Sequence, residues 1–249
     1  VVSLPYISES TRSEFNYYLS QASEIIATGD YPTHELVRHS RFLSALAGRE
    51  LAPEAPRIDW REAAPSIDVG APYVVLNPGS NEPGRRWPFP AYLGIARRLL
   101  RLGYRVVLVG SATEKPEPLQ ALAKEAGVID LIGRTTLPVL MDVMKRAAAM
   151  LSNDTGPAHL SIALGTPTVV VVGGGHFGSF FPYPEAATPT TARFVFEHME
   201  CYHCFWRCHK RASKYDVFPC VDAVSEGHVW SALKEVLASR PTAVAAGTG

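Results

Sequence analysis

The stretch LSNDTGPAHLSIALGTPTVVVVGGG, residues 151–175, carries the pattern that decides the fold. It opens at the end of a short apolar strand, continues into a predicted helix over 157–164, and closes with a second apolar strand over 168–172. Pro157 suits the first turn of that helix because its missing N–H costs nothing there, and Thr155 can act as the cap. A strand, a helix and a strand in this order predict two parallel strands joined by a right-handed crossover.

The same alternation of short apolar strands and helices continues on both sides of this stretch. Further strands are predicted over 73–76, 105–109 and 128–132, and further helices over 90–102, 114–126, 137–148 and 226–238. Because strands that are apolar throughout are buried on both faces, helices are expected on both sides of the sheet. The sequence therefore predicts an α/β fold with a doubly wound, Rossmann-like parallel sheet, followed by an irregular segment over 183–224.

The composition changes along the chain and indicates its organisation. Residues 1–50 hold two predicted helices, and residues 51–72 contain four prolines, as expected of a linker between domains. Residues 73–240 carry the alternation of strands and helices and form the main predicted domain. The end of the chain, residues 241–249, is expected to be a disordered tail.

The overall composition excludes several classes of protein. The chain has 249 residues, 47% of them hydrophobic and 19% charged, which is typical neither of a disordered protein nor of a membrane span of about 18 apolar residues. With 24 basic and 24 acidic side chains, it offers no general attraction to nucleic acid or anionic lipid. The sequence begins at Val1 without a secretory signal, which predicts a reducing, cytoplasmic environment and a chain cut from a longer protein.

Ligands of open α/β sheets bind beyond the carboxyl ends of the strands, so the loop at Asp154, Thr155 and Gly156 is the first candidate site. The start of the helix after this loop favours an anion such as pyrophosphate, because its N–H groups lack intrahelical partners. The carboxylate of Asp154 is better suited to accept hydrogen bonds from hydroxyl groups. A diphosphate next to hydroxyls indicates a nucleotide sugar. The alternative is a plain helix cap in which Asp154 bonds the backbone.

Two further loops follow strands of the predicted sheet. In LNPGSNEPGRRWPFP, residues 76–90, Ser80 and Asn81 with Arg85 form a polar, positively charged cradle suited to phosphate, although loop arginines are often only solvated. Glu114 begins the next predicted helix, where it can either accept from ribose hydroxyls or simply complement the helix dipole.

A glycine-rich run offers a third motif, which the context argues against. Gly173, Gly175 and Gly178 match the dinucleotide-binding spacing, but SFFPYPEA follows and its prolines do not open a helix. We expect instead a glycine-rich loop that lines a substrate cleft. His176 in this loop is either an acid or base or a packed histidine.

Four cysteines lie within the Cys-rich segment, residues 201–220, with the spacing C-x2-C-x3-C-x11-C. The spacing allows a structural zinc site with four thiolate ligands, formed by Cys201, Cys204, Cys208 and Cys220. Two disulfides are the alternative. The absence of a secretion signal favours a metal or free thiols.

Two of these segments resemble a known family. NPGSNEPGRRWP (residues 77–88) and SNDTGPAHL followed by GTPTVVV (residues 152–171) are similar to the C-terminal half of family 9 glycosyltransferases, the ADP-heptose:lipopolysaccharide heptosyltransferases. The resemblance extends from about His34 to the last helix. It implies a GT-B enzyme with two Rossmann-like domains, a nucleotide sugar donor in the C-terminal domain, and inversion at the anomeric carbon without a catalytic metal.

The resemblance also implies roles for particular positions. Donor binding is implied for Ser80, Asn81, Arg85, Glu114, Asp154, Thr155, Gly156 and His159. Arg85 stands where a phosphate-binding Lys is common in the family. Residues 1–50 would then be a helical remnant of the N-terminal acceptor domain, residues 51–72 the interdomain linker, and residues 73–240 the nucleotide-sugar-binding domain. The catalytic base is expected in the absent N-terminal domain.

These observations predict an inverting glycosyltransferase that transfers a heptose-like sugar, with ADP-heptose as donor and lipopolysaccharide core or a related glycan as acceptor. No cofactor is required for catalysis, and a structural zinc is the one metal expected. The predicted partners are the nucleotide sugar, a glycan or lipid-linked acceptor and the N-terminal domain, with no nucleic acid. Membrane contact is at most peripheral, at the inner face of the bacterial inner membrane. The alternatives are a noncatalytic nucleotide-binding module and a metal-clasped interaction module.

Overall fold

The computed structural model describes residues 1–3, 12–61, 67–70, 72–114 and 117–239. Contacts divide the chain into two compact units, one of residues 1–55 and 176–188 and one of residues 56–175 and 189–249. The sequence-based division differs at 176–188, which it placed with the sheet. This loop groups with the smaller unit because the Glu35 N–H donates to the Ser179 carbonyl (2.9 Å) and His34 Nε2 lies 2.9 Å from the Phe180 carbonyl oxygen. The predicted tail lies outside the described residues.

Among its described residues, the smaller unit has two short strands and two helices. Strand β1 (Val2–Ser3) pairs in parallel with β2 (Ile25–Ile26), and the helices are α1 (Arg12–Ser20) and α2 (Glu35–Ala47). Helix α2 is capped by the ring of His34, which accepts from the Leu36 N–H (3.0 Å), and it ends at Gly48 with a left-handed φ of 61°. Both helices were predicted. The strand pair was not, because two-residue strands show no alternation that a sequence pattern can reveal.

The predicted linker is divided between the two units, since residues 51–55 group with the smaller unit and the described residues from 56 onward with the larger one. The Ile58 N–H donates to the Ala163 carbonyl (2.8 Å), and Trp60 Nε1 donates to Asp142 Oδ1 (2.7 Å). Residues 57–60 form no strand, since they bond a helix end and a side chain rather than a neighbouring strand. Residues 62–66 and 71 of the linker lie outside the described residues.

Six strands form a parallel sheet in the part of the larger unit that the structure describes. They are β3 (Tyr73–Asn77), β4 (Arg105–Leu108), β5 (Val128–Asp130), β6 (Ala149–Asn153), β7 (Thr168–Val171) and β8 (Ala192–Val195). The strand order is β5-β4-β3-β6-β7-β8, so the direction of winding reverses between β3 and β6. This is the order of a doubly wound Rossmann-like sheet, and the predicted fold class is confirmed.

Helices accompany the strands as the alternation predicts. They are α3 (Phe89–Arg101), α4 (Glu117–Leu122), α5 (Leu137–Arg146), α6 (Gly156–Ala163), α7 (Pro219–Asp222) and α8 (Glu226–Ala238). Helix α3 contacts α4 and α8, while α5 contacts α6. None of the helices within the described ranges combines the length and apolar character that crossing a bilayer requires.

Burial explains which strands the sequence revealed. Every residue of β3, β6 and β7 is buried, as expected of strands covered on both faces. The edge strand β8 lies in the segment expected to be irregular. It pairs with β7 alone, and its two central residues, Arg193 and Phe194, are only partly buried. Its four residues carry too little apolar pattern to be distinguished from a loop.

Candidate functional site

A cavity of about 510 Å³ lies at the carboxyl ends of the strands in the larger unit. Its lining begins where β3 and β6 end, which is the point of the sheet where the winding reverses. Ligands of doubly wound folds bind at such a switch point. The cavity is lined by Asn77, Gly79, Ser80, Asn81, Arg85, Val109, Gly110, Ser111, Thr135, Leu140, Asp154, Thr155, Gly156 and Pro157.

The structure brings together six of the eight predicted donor-binding positions. Those that line the cavity are Ser80, Asn81, Arg85, Asp154, Thr155 and Gly156. His159 lies on α6 and is not among the lining residues. Glu114 ends a short 3₁₀ turn, Ala112–Glu114, and its side chain lies outside what the structure describes. Its ribose-binding role stays a prediction.

A buried asparagine at the end of β6 holds the loop that lines the site, and the sequence did not single it out. Asn153 has no exposed surface. Its Nδ2 donates to the carbonyls of Pro78 (2.8 Å) and Gly79 (3.0 Å), while its Oδ1 accepts from the Trp87 N–H (3.0 Å) and the Tyr92 hydroxyl (3.2 Å). One side chain therefore fixes both arms of the loop that carries Ser80 and Arg85 to the end of β6.

Asn77 holds the residues at the start of α6 in a similar way. Its Nδ2 donates to Ser152 Oγ (3.0 Å) and to Thr155 Oγ1 (3.1 Å). The Thr155 hydroxyl is therefore turned toward the strand ends, and the structure shows no cap hydrogen bond from this side chain. The prediction that Thr155 caps the helix is wrong for this reason.

The first turn of α6 is consequently left accessible to a ligand. Gly156 begins the helix, and a Cβ at this position would meet no atom within 4 Å, so the space beside the helix start is open. Backbone N–H groups at a helix start carry partial positive charge and bind anions when no side chain satisfies them. This end of the cavity therefore suits phosphate oxygens.

The two adjacent arginines of the loop have different roles. Arg86 donates from Nε (3.0 Å) and from Nη2 (2.8 Å) to the Ser80 carbonyl, which shapes the loop from within. Arg85 lines the cavity, and its Nε lies 3.6 Å from Glu82 Oε2. Of the two arginines, Arg85 is therefore the one placed to contact a ligand. The sequence alone does not show which of two adjacent arginines has this role.

Asp154 faces the same cavity as Arg85 and is electrostatically perturbed. Burial raises the pKa of its carboxyl from 3.8 to about 6, and the positive charge of Arg85 offsets part of this rise. The carboxyl therefore sits close to the point where it changes charge in neutral solution. A partly buried carboxyl with a raised pKa in a cleft marks a functional site more often than a structural one.

The glycine-rich run does not line this cavity. A Cβ at Gly173 or Gly175 would collide with the indole of Trp206, and one at Gly174 would collide with the ring of Tyr202. These glycines provide room for two aromatic rings rather than for a ligand in this cavity, and their place in a substrate cleft stays a prediction. His176, whose ring packs at 6.3 Å from that of Phe180, is not among the cavity-lining residues either.

The cysteines occupy the segment that supplies those rings. All four, Cys201, Cys204, Cys208 and Cys220, are free thiols, and the thiol of Cys220 accepts from the Gly174 N–H at 3.3 Å. Over the part of the chain that the structure describes, no three His, Cys, Asp or Glu side chains are grouped so that they could hold a metal ion. The structure therefore supports neither the four-thiolate zinc site nor the disulfides.

Residues 30–212 match the family model of glycosyltransferase family 9 (heptosyltransferase). The chain belongs to this family. Among curated relatives, this family 9 chain is 33% identical over 130 residues to lipooligosaccharide heptosyltransferase 2 of Haemophilus influenzae. That alignment covers 50% of the present chain and 38% of the relative, so the chain spans well under half of the curated protein it matches.

Solved structures agree with the fold of this family 9 chain. A glycosyl transferase family 9 protein from Veillonella parvula superimposes with a TM-score of 0.71 at 19% identity, covering 96% of this chain and 67% of that one. The dodecameric iron-containing heptosyltransferase TibC from enterotoxigenic E. coli, solved in complex with ADP-D-β-D-heptose, gives a TM-score of 0.61 at 18% identity. That match covers 87% of this chain and 60% of TibC.

Proposed function

We propose that this chain binds the donor for a family 9 sugar transferase, and that the donor is a nucleotide diphosphate sugar held in the 510 Å³ cavity. The observation that carries the proposal is the convergence of Arg85, Asp154 and the open start of α6 on one cavity at the switch point of the sheet. Membership of the family and the likeness to heptosyltransferases support a heptose-like sugar and ADP as its carrier.

In this proposal the two ends of the cavity hold two parts of the donor. The diphosphate lies against the Gly156 N–H at the start of α6 and the guanidinium of Arg85, both of which supply positive charge to the cavity. The Asp154 carboxyl accepts hydrogen bonds from hydroxyl groups of the sugar. Ser80, whose carbonyl is held by Arg86, contributes a buried hydroxyl on the loop that faces the diphosphate.

The transfer step needs charge stabilisation at the departing diphosphate. An acceptor hydroxyl attacks the anomeric carbon, the bond from that carbon to the diphosphate oxygen breaks, and the hydroxyl proton passes to a carboxylate that we place in the N-terminal half of the full protein. Arg85 and the helix start stabilise the charge that develops on the leaving oxygen. In the full protein, the acceptor is a lipopolysaccharide core or a related glycan. This chain alone is then expected to bind donor and to transfer poorly.

Calorimetry and thermal shift with ADP-, GDP- and UDP-sugars test the proposal. We expect one nucleotide class to raise Tm, and Arg85→Ala to weaken its binding by about tenfold to a hundredfold, the effect of losing one hydrogen bond to a charged group. Arg101→Ala, an exposed arginine on α3, is the matched control and should bind as the wild type does. If no nucleotide sugar binds, the donor site is misassigned. If the protein with its N-terminal half restored binds donor but transfers nothing, the chain is a noncatalytic nucleotide-binding module instead.

A further inference from the structure

The guanidinium of Arg85 is held from behind by an aromatic ring. Its central carbon lies 4.3 Å from the ring centroid of Trp206, within the range of a cation–π contact. Its Nε is buried and makes no hydrogen bond, because the Glu82 carboxylate lies beyond hydrogen-bond distance at 3.6 Å. The indole therefore provides a flat surface against which this guanidinium packs.

Trp206 itself occupies an unusual backbone position. Its φ is 61°, and those of Phe205 (52°) and His203 (68°) are also positive, a left-handed conformation that costs non-glycine residues free energy. The segment keeps this shape because the His203 N–H donates to the Gly174 carbonyl (2.8 Å) and the Phe205 N–H to the Gly175 carbonyl (2.9 Å). Strained backbone that is so firmly held is typical of functional positions.

The Cys-rich segment, residues 201–220, contacts the loop of residues 76–90 at a second place. Arg211 Nη1 lies 3.1 Å from Glu82 Oε1, and its guanidinium stacks at 4.0 Å on the ring of Phe218. Phe218 packs against Trp206 with ring centroids 4.8 Å apart, and its N–H donates to the Gly84 carbonyl (2.8 Å). Two aromatic rings therefore lie side by side between two guanidiniums, and Glu82 faces both of these cations.

We propose that Trp206 is a positioning residue that holds the Arg85 guanidinium toward the donor diphosphate, so that the Cys-rich segment supports a cavity that none of its residues lines. The proposal rests on the proposed function. Without the indole, the guanidinium is free to turn further toward Glu82 and to shorten their 3.6 Å ion pair to hydrogen-bond distance. Glu82 would then compete with the diphosphate for the same positive charge.

The test uses inorganic pyrophosphate and ADP as probes, with the whole chain and calorimetry at several salt concentrations. Trp206→Leu is expected to weaken binding of both probes by about 3- to 30-fold, the range of a desolvated cation–π contact. It should also flatten the salt dependence, because fewer protein charges reach the phosphates. Trp206→Phe, which keeps an aromatic face, should restore most of the affinity. Phe205→Leu, the same kind of change one residue away on an exposed side chain, is the control and should bind as the wild type does.

A double-mutant cycle separates positioning from general damage. If Trp206 acts through Arg85, Trp206→Leu should have no further effect on binding in the Arg85→Ala background. An equal loss in both backgrounds overturns the proposal, as does wild-type affinity in Trp206→Leu. If the wild type itself binds neither probe, the proposed function falls and this inference falls with it, so the two failures are distinguishable.

A measurement on the wild-type fold covers the case in which Trp206→Leu does not fold. The chain has four tryptophans, which fluorine labelling resolves as separate NMR signals, assigned by single Trp→Phe variants. The Trp206 signal is expected to shift when pyrophosphate binds to the wild type, because the guanidinium on its face moves or changes charge environment. The shift should vanish in Arg85→Ala. A Trp206 signal that does not respond to saturating pyrophosphate in the wild type contradicts the proposal.

Discussion

Replacing Asn153 by alanine should destabilise the larger unit by about 3 to 5 kcal/mol. Of the groups that Asn153 satisfies, the Tyr92 hydroxyl keeps a second acceptor, the Asn77 carbonyl at 3.3 Å, whereas the buried Trp87 N–H loses the partner that the structure shows. An unsatisfied buried donor costs about 1–3 kcal/mol, and the two lost bonds to the Pro78 and Gly79 carbonyls add about 1 kcal/mol each. The sum is a large part of the roughly 5–15 kcal/mol that stabilises a typical domain.

Urea unfolding followed by tryptophan fluorescence and by circular dichroism measures this loss. Asn81→Ala is the matched control, because Asn81 is an exposed asparagine on the same loop and its removal should change stability by no more than about 0.5 kcal/mol. A loss below about 1 kcal/mol for Asn153→Ala would refute the reasoning, since it would mean that water or a rearranged loop replaces these hydrogen bonds at little cost.

An aspartate at the same position sharpens the test. Asn153→Asp keeps the acceptor for Trp87 but turns a second oxygen toward the carbonyls of Pro78 and Gly79. Because this second oxygen is buried and faces no hydrogen-bond donor, the pKa of the new carboxyl should be raised. The variant should therefore gain stability relative to the wild type as the pH falls and the carboxyl takes up a proton. A constant difference between the two proteins from pH 8 to pH 5 would show that the new carboxyl is well solvated.

Three further predictions concern the cavity. Because the folded-state pKa of Asp154 is about 6 against an ordinary 3.8, its ionised form opposes folding, so the wild type should lose stability relative to Asp154→Asn as the pH rises from 4 to 7. Urea titrations at three pH values check this, and parallel stability curves would contradict it. Gly156→Ala should fold with unchanged or slightly raised Tm, because the space beside it is open and alanine favours a helix, yet it should weaken pyrophosphate binding measured by calorimetry. Unchanged binding would place the diphosphate elsewhere. Arg86→Ala should lower the free energy of unfolding by about 1–3 kcal/mol, through loss of its bonds to the Ser80 carbonyl, while Arg85→Ala, which loses a cation–π contact but no hydrogen bond that the structure shows, should lower it by no more than about 1 kcal/mol. Equal stability losses would mean that the two arginines have been assigned to the wrong roles.

The fold could be predicted from the sequence wherever burial leaves a continuous apolar pattern. The strands over 73–76 and 168–172 were predicted because every residue in them is buried, and buried strands between helices allow few topologies. The edge strand β8 was not predicted because two of its four residues are only partly buried, which interrupts the apolar pattern. Its neighbours in the chain are loops, so nothing local separates it from them.

The site was predictable where the residue type itself carries the chemistry. Arg85, Asp154 and Gly156 were predicted by charge, carboxylate and helix start, and they line one cavity. Asn153 and Asn77 were not, because an asparagine that bonds buried carbonyls or hydroxyls cannot be told from a solvated loop asparagine by residue type alone. Only the fold shows which groups face them.

The glycine-rich run shows a different limit. Gly173 and Gly175 were assigned to a ligand because small residues permit close approach of some other group. The approaching group is Trp206, which lies about thirty positions later in the chain, and no spacing rule connects the two. A sequence states that room is needed at such a place but not what fills it.

The adjacency of Asn153 and Asp154 makes the site depend on strand register. Neighbouring residues of an extended chain point to opposite sides. The Asn153 side chain therefore bonds the loop, and the Asp154 side chain faces the cavity. A one-residue shift of β6 against β3 would exchange them, placing a carboxylate among buried carbonyls and an amide in the cavity. Donor binding would then be lost together with the correct pairing of β3 and β6. Ligand binding after refolding therefore measures whether the two strands have paired in the correct register.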